Sequence, residues 1–257
     1  MTQDRSTPTD ARVVFDHRGA PVERTSWRTF AVLAHTLSGS ARIVGRGGAG
    51  RLRPEHVDRV LRRWCAHTFR LSRTTLVGHG LGNVAPGQPY VVLSNHQSLL
   101  DIPALSAAFP GRLRFVAKQE LRGVPVFGRA IELAGGVFVD RGDRARAIEQ
   151  LAAARERLAE GVSVWVAAEG TRARDGRLGP FKKGGFHVAL ALGVPILPAW
   201  VQGTLAVIPP DQWASVTGGR VDVRFGAPIP TAGLGRDELG ALMARTRAAI
   251  EALAVAT

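Results

Sequence analysis

Tyr90-Val91-Val92-Leu93-Ser94-Asn95-His96-Gln97-Ser98-Leu99-Leu100-Asp101 runs from an apolar stretch through a polar cluster into a segment of helical character. Read as strand, turn and helix, it places His96 at the carboxyl end of a strand, where open α/β sheets gather their ligands. The pattern recurs around it. From Thr74 onward short β-rich runs alternate with helical ones, the signature of an α/β layer structure. The predicted strands are Tyr90 to Leu93, Leu113 to Ala117, Gly136 to Val139, Val162 to Ala167, Ile196 to Val201 and Val221 to Phe225. Helices are predicted at Leu99 to Ala108, Val126 to Leu133, Arg144 to Glu160 and Gly184 to Leu192, with a closing helix from Arg236 to Ala254. Their tight spacing argues for a single domain over residues 73–257.

Upstream the character changes. Residues 1–24 read as a flexible tail and residues 25–72 as a pair of amphipathic helices. Ser26 can cap the first, in which Trp27, Phe30, Leu33, Ala34 and Leu37 recur at helical spacing. Its end is expected near Gly39, and a glycine-rich loop, Gly45 to Gly50, follows. In the second, Pro54 to Leu71, one face gathers Val57, Val60, Leu61, Trp64, Cys65 and Thr68, while Arg53, Arg59, Arg62 and Arg63 lie largely elsewhere. The pair reads either as ordinary packing helices or as a platform lying on anionic lipid, with tryptophans at the interface.

A chain of 257 residues can bury a substantial core, and 45% hydrophobic with 21% charged residues fits neither disorder nor a polytopic membrane protein. The excess of 34 Lys and Arg over 21 Asp and Glu leaves a net charge of +13, which points to an anionic partner without saying which. The single cysteine, Cys65, cannot form an internal disulfide and has no metal-ligand spacing around it, so a reducing compartment is expected. Met1 to Asp10 is polar and lacks the form of an export signal. Neither Phe30 to Leu37 nor Val188 to Val201 approaches the roughly 20 apolar residues needed to cross a bilayer.

Histidine titrates near neutrality, so a neutral His96 can take a proton from a hydroxyl as that oxygen attacks a carbonyl. Asp101, five residues on in the first helical turn, can fold back to the other ring nitrogen and stabilise the imidazolium that forms. The bland alternative is a helix capped by Ser98 or Asn95 with a solvated His96. Ser98 is also close enough to be considered as a nucleophile.

With these residues the sequence resembles the glycerolipid acyltransferases typified by 1-acylglycerol-3-phosphate acyltransferase, whose signature of Asn-His, four residues and Asp matches Asn95, His96 and Asp101. Lys118-Gln119-Glu120-Leu121 with Pro125 and Gly128 is similar to the family's second block, Glu169-Gly170-Thr171-Arg172 to its third, and Val194-Pro195-Ile196-Leu197-Pro198 to its fourth. Gly136 to Arg141 and Phe181 to Gly184 carry the same look, whereas the first 70 residues lie outside the match. The resemblance implies a mixed sheet flanked by helices. It also implies that His96 and Asp101 are catalytic and that Lys118, Glu169, Gly170, Thr171 and Arg172 bind substrate, with Arg172 on the acceptor's phosphate.

Elementary chemistry agrees. A turn at Gly170 after a strand can bring backbone N–H groups and the Arg172 fork beside the reacting centre, with Lys118 completing a clamp on phosphate. The alternative pairs Arg172 with Glu169 or Asp175 in a surface turn and leaves Lys118 solvated. Lys182 and Lys183, before Gly184 at a helix start, suit phosphate or an acidic carrier, or form a solvated basic turn. Arg141 shares that ambiguity. His187 sits among apolar neighbours as a core histidine, and Pro195 and Pro198, in the block that the family links to the acyl donor, read as structural.

The expected activity is transfer of a fatty acyl group from an acyl thioester of acyl carrier protein or CoA to the free hydroxyl of 1-acylglycerol-3-phosphate, giving phosphatidate. No metal or resident cofactor is called for. Another lysolipid, such as lyso-ornithine lipid, is the alternative acceptor, and a hydrolase acting through Ser98 is an alternative chemistry. A nucleic-acid-binding module would need a basic stripe with interleaved aromatics, yet aromatics are 6% of the chain and no recognition motif is present. The expected location is cytoplasmic, peripherally associated with the anionic inner face of the cell membrane, through residues 25–72.

Overall fold

The computed structural model describes residues 11–18, 23–140, 157–209 and 215–255. In chain order they form β1 (Arg12–Phe15), β2 (Glu23–Thr25), α1 (Ser26–Gly48), α2 (Pro54–Ser72), β3 (Thr75–His79), β4 (Val91–Ser94), α3 (Asp101–Ala108), β5 (Leu113–Lys118), α4 (Phe127–Leu133), β6 (Val137–Val139) and β7 (Ser163–Ala167). Then follow α5 (Gly184–Leu192), β8 (Ile196–Gln202), α6 (Thr204–Val207), β9 (Ser215–Thr217), β10 (Arg220–Phe225) and α7 (Leu239–Val255). Arg141 and most of the helix expected over Arg144 to Glu160 lie outside the described residues.

Eight strands form one sheet in the order β1-β3-β10-β8-β4-β7-β5-β6. The five from β8 to β6 are parallel, β10 runs against β8, and β1 closes the far edge antiparallel to β3. The sheet is thus mixed, as expected. Because side chains alternate along a strand, β4 feeds two cores. Val92 packs with Phe69 of α2 and Leu100, Ala104 and Leu105 around α3, whereas Val91 and Leu93 pack with Phe186 and Ala189 of α5 and Leu242 and Ile250 of α7. Truncating one of these fully buried leucines to alanine would cost about 2–5 kcal/mol. That two-sided burial fixes the end of β4, and hence the loop that carries His96.

Three expectations are corrected. Arg12–Phe15, placed in the flexible tail, is an edge strand that pairs Arg12 with Gly78 and Val13 with Val77. Thr75–His79 is a buried strand absent from the predicted set. The first helix does not stop near Gly39 but continues through the glycine-rich stretch to Gly48. The physical reason is close approach: a Cβ on Gly47 would lie 2.7 Å from Leu133 Cδ1 of α4, and one on Gly39 would touch Val60 of α2. Helix α2 matches its prediction, with Val57, Cys65, Thr68 and Phe69 buried, Pro54 at its first turn, and Arg73 in a left-handed conformation at its end. The closing helix proper begins at Leu239, after a 3-10 turn over Arg236–Glu238.

Candidate active site

Strand β4 ends at Ser94, and the next residue extends it by side chain rather than backbone. Asn95 Oδ1 accepts from the Val201 N–H and Asn95 Nδ2 donates to the Val201 carbonyl, each at 2.8 Å, so the chain is pinned to β8 before it turns. His96 therefore leaves the sheet at a fixed height. Its backbone N–H donates to Glu169 Oε1 at 3.1 Å, and its carbonyl accepts from the Ala173 N–H at 2.7 Å. The imidazole stands edge-on to the Trp165 ring, with centroids 5.5 Å apart, and the Trp165 indole N–H is bonded to Ser94 Oγ.

His96 Nδ1 lies 2.8 Å from Asp101 Oδ2. The same oxygen accepts the N–H groups of Gln97 at 2.7 Å and Ser98 at 3.0 Å. Asp101 is fully buried at the first residue of α3, where the helix dipole favours a negative charge. A carboxylate accepts only, so Nδ1 carries the proton and Nε2 is left as the basic nitrogen. The capped-helix alternative with a solvated His96 is not what the chain adopts. Ser98 is not available as a nucleophile: it is fully buried, its hydroxyl donates to the Ile208 carbonyl at 2.7 Å, and it accepts from the Leu100 N–H. Cys65 is equally remote from such chemistry, its thiol pushed up to about 12 by burial.

The loop after β7 forms the other wall. Gly170 adopts φ +71°, and a Cβ there would meet the Lys182 side chain at 3.0 Å. Glu169 turns inward rather than toward a substrate. Its two oxygens accept the backbone N–H groups of His96 and, at 2.9 Å, Gly179. Burial raises its pKa, against the lowering effect of those two bonds. The Gln97 amide donates to the Gly176 carbonyl, and Arg247 of α7 braces the loop from behind through the carbonyls of Leu178 and Gly179. Thr171 is exposed. Arg172 is half-buried and, among the described residues, pairs with neither Glu169 nor Asp175. Lys118 ends β5, two strands and about 10 Å across the sheet from β4, and its ammonium pairs with Glu120 at 2.7 Å. Lys182 and Lys183 are exposed beside the Gly170 turn, and His187 is half-buried on α5. Among the described residues no three His, Cys, Asp or Glu side chains converge so as to hold a metal ion.

Residues 76–202 match the family model described as Acyltransferase. Human 1-acyl-sn-glycerol-3-phosphate acyltransferase alpha is 38% identical over 190 residues, which span 74% of this chain and 67% of the human protein. The chain belongs to the acyltransferase family. The 1-acyl-sn-glycerol-3-phosphate acyltransferase of Saccharomyces cerevisiae is 36% identical over 163 residues, 62% of this chain and 54% of the yeast one. The crystal structure of the 1-acyl-sn-glycerophosphate (LPA) acyltransferase PlsC from Thermotoga maritima superposes with a TM-score of 0.74 at 27% identity, covering 89% of this chain and 93% of that one. The chain spans about two thirds of the length of its mammalian relatives.

The resembling blocks lie together in the fold. His96, Lys118 and Glu169 follow or end the parallel strands β4, β5 and β7, all at the carboxyl ends of those strands. Three residues of this site escaped sequence reasoning: Trp165, which the His96 ring stands against, and Gly179 and Val201, whose backbone groups hold Glu169 and Asn95. Only Trp165 left a signal, as an aromatic residue in the middle of a strand of small and β-branched ones.

Proposed function

We propose that the chain transfers a fatty acyl group from an acyl thioester of CoA or acyl carrier protein to the free hydroxyl of 1-acylglycerol-3-phosphate, giving phosphatidate. The observation that carries this reading is the His96–Asp101 pair at the carboxyl end of β4, with Nε2 left basic and, on the neighbouring loop, an Arg172 that pairs with no carboxylate among the described residues. Nε2 takes the proton of the acceptor hydroxyl as its oxygen bonds to the thioester carbonyl carbon. The buried Asp101 carboxylate stabilises the imidazolium that results. Collapse of the tetrahedral oxyanion breaks the carbon–sulfur bond, and the leaving thiolate takes the proton back from His96. Arg172 holds the acceptor's phosphate through its planar fork, with the exposed Lys182 and Lys183 adding positive charge at the rim. Glu169 acts one step removed, by positioning the His96 backbone.

The acceptor and product are lipids, so the enzyme works at a membrane surface. Among the described residues no helix is long and apolar enough to cross a membrane. Helix α1 instead exposes Trp27, Phe30, Leu33 and Leu37, and Arg59, Arg62 and Arg63 are exposed on the adjoining α2. This combination supports peripheral docking on the anionic inner face of the cell membrane, to which each nearby basic residue contributes about 1 kcal/mol. The test is an acyl-transfer assay of the purified protein against a panel of lysolipids with both thioester carriers, read by mass spectrometry. Phosphatidate from 1-acylglycerol-3-phosphate is the expected product. Transfer confined to acceptors without phosphate would refute the assignment.

A further inference from the structure

The amino ends of the parallel strands, opposite His96, carry a second concentration of positive charge. Arg53, Arg112, Arg114 and Arg157 converge there on a cavity of about 180 Å³ between the start of α2, the start of β5 and the end of α4. Among the described residues two carboxylates answer four guanidinium groups. Asp58 accepts from Arg112 Nε at 3.1 Å and from Arg114 Nη2, and Glu160 accepts from Arg157 Nη1 at 3.0 Å. Arg53 has no carboxylate partner among the described residues. Arg114 is only 6% exposed, and burial lowers its pKa; Asp58 opposes that effect, while the like charges of Arg112 and Arg157 reinforce it.

The arrangement is built rather than incidental to an arginine-rich surface. Gly135 (φ +82°) ends α4, and a Cβ on it would sit 3.2 Å from Arg157 Nε, so its absence makes room for that side chain. Pro54 opens α2 beside Arg53, and the positive end of this 19-residue helix faces the same space. The surplus of two positive charges among the described residues matches a phosphate monoester dianion, and the guanidinium fork suits its oxygens. The volume admits a phosphate group and a small substituent but no acyl chain.

We infer that this cavity is an anion site, separate from the transfer centre, that takes a phosphate group, supplied free or as a small ester, or by a lipid headgroup. The inference does not rest on the proposed acceptor. Calorimetric titration of the full chain at low ionic strength tests it, with inorganic phosphate, glycerol 3-phosphate and a short-chain lysophosphatidate below its micelle concentration as probes. The Arg53→Gln/Arg157→Gln variant should weaken binding at this site by about tenfold or more. Its turnover without added phosphate should match the wild type, and Arg172→Gln, at the transfer centre, should leave the rear site intact. Arg53→Gln alone changes an exposed side chain and should give a smaller loss of about threefold, which guards against misfolding of the double variant. Similar binding of the two soluble probes supports a free-phosphate source, and variant-sensitive binding of the lysolipid alone supports a headgroup. Binding that the double variant leaves unchanged, that Arg172→Gln abolishes, or that no probe shows would overturn the site.

Discussion

Among the described residues two histidine–aspartate pairs adjoin this sheet, and only one has the arrangement that the proposed proton transfer needs. His79 of β3 and Asp222 of β10 are 2.6 Å apart and nearly buried, closer than His96 and Asp101 at 2.8 Å. Yet Asp222 is also gripped by Arg220 through two bonds of 2.8 Å, and the remaining ring nitrogen of His79 is buried with no partner among the described residues. The carboxylate of Asp101 is held instead by backbone N–H groups at a helix start, and the His96 pair lies in a loop at the carboxyl end of β4. Proximity of the two residue types is therefore not the signal of a catalytic pair. What matters is a carboxylate with no competing cation and a second imidazole nitrogen that a substrate can reach.

The sharpest way to break this contrast is to neutralise each aspartate in turn. Asp101→Asn should lower kcat by at least about 10²-fold, because the imidazole loses the partner that orients it and balances its charge. Asp222→Asn should leave kcat within about threefold of wild type, since its pair has no part in the proposed proton transfer. Steady-state kinetics on both folded variants decide the matter.

A smaller effect is expected one loop away. Arg172→Ala should raise the acceptor's KM by about 10- to 100-fold, equivalent to losing a charged hydrogen bond, with little change in the KM of the thioester. Arg172→Lys should recover part of the loss. Equal changes for both substrates would make Arg172 structural or an oxyanion donor.

The smallest effect is on acid stability, and here His79–Asp222 is the active partner. Burial, the largest single influence on Asp222, pushes its pKa up, but the bonds from Arg220 and His79 together hold it below the usual aspartate value of 3.8. A carboxylate with a depressed pKa contributes stability that is fully present above the ordinary value and is lost as pH falls through the folded one. Thermal melts of the wild type should therefore drop as pH falls below 3.8, and Asp222→Asn should flatten that drop. An unchanged slope would remove Asp222 from the acid response.

The His96–Asp101 contact was legible because strand, turn and helix are local: a residue five positions on, at the helix start, is returned to the histidine by the chain's own geometry. Glu169 was not. Its motif marks it as polar beside Gly170, but its direction is set by the Gly179 N–H ten residues away and by a loop tied down at Gln97 and Arg247. Strand order was equally hidden, since alternation along the chain does not say that β10 and β3 lie beyond β8. Glycines misled in α1, where Gly39 and Gly47 mark helices in close contact rather than a helix end. The four-residue strand Arg12–Phe15 was too short to stand out from a polar leader.

The half-buried His96, and not the buried His79, is the proposed base. Turnover of His96→Ala and His79→Ala, measured side by side on proteins with wild-type circular dichroism, tests that assignment most directly. A loss of about 10²- to 10⁴-fold is expected for His96→Ala and near-normal turnover for His79→Ala. A folded His96→Ala protein with near-normal turnover would contradict the assignment.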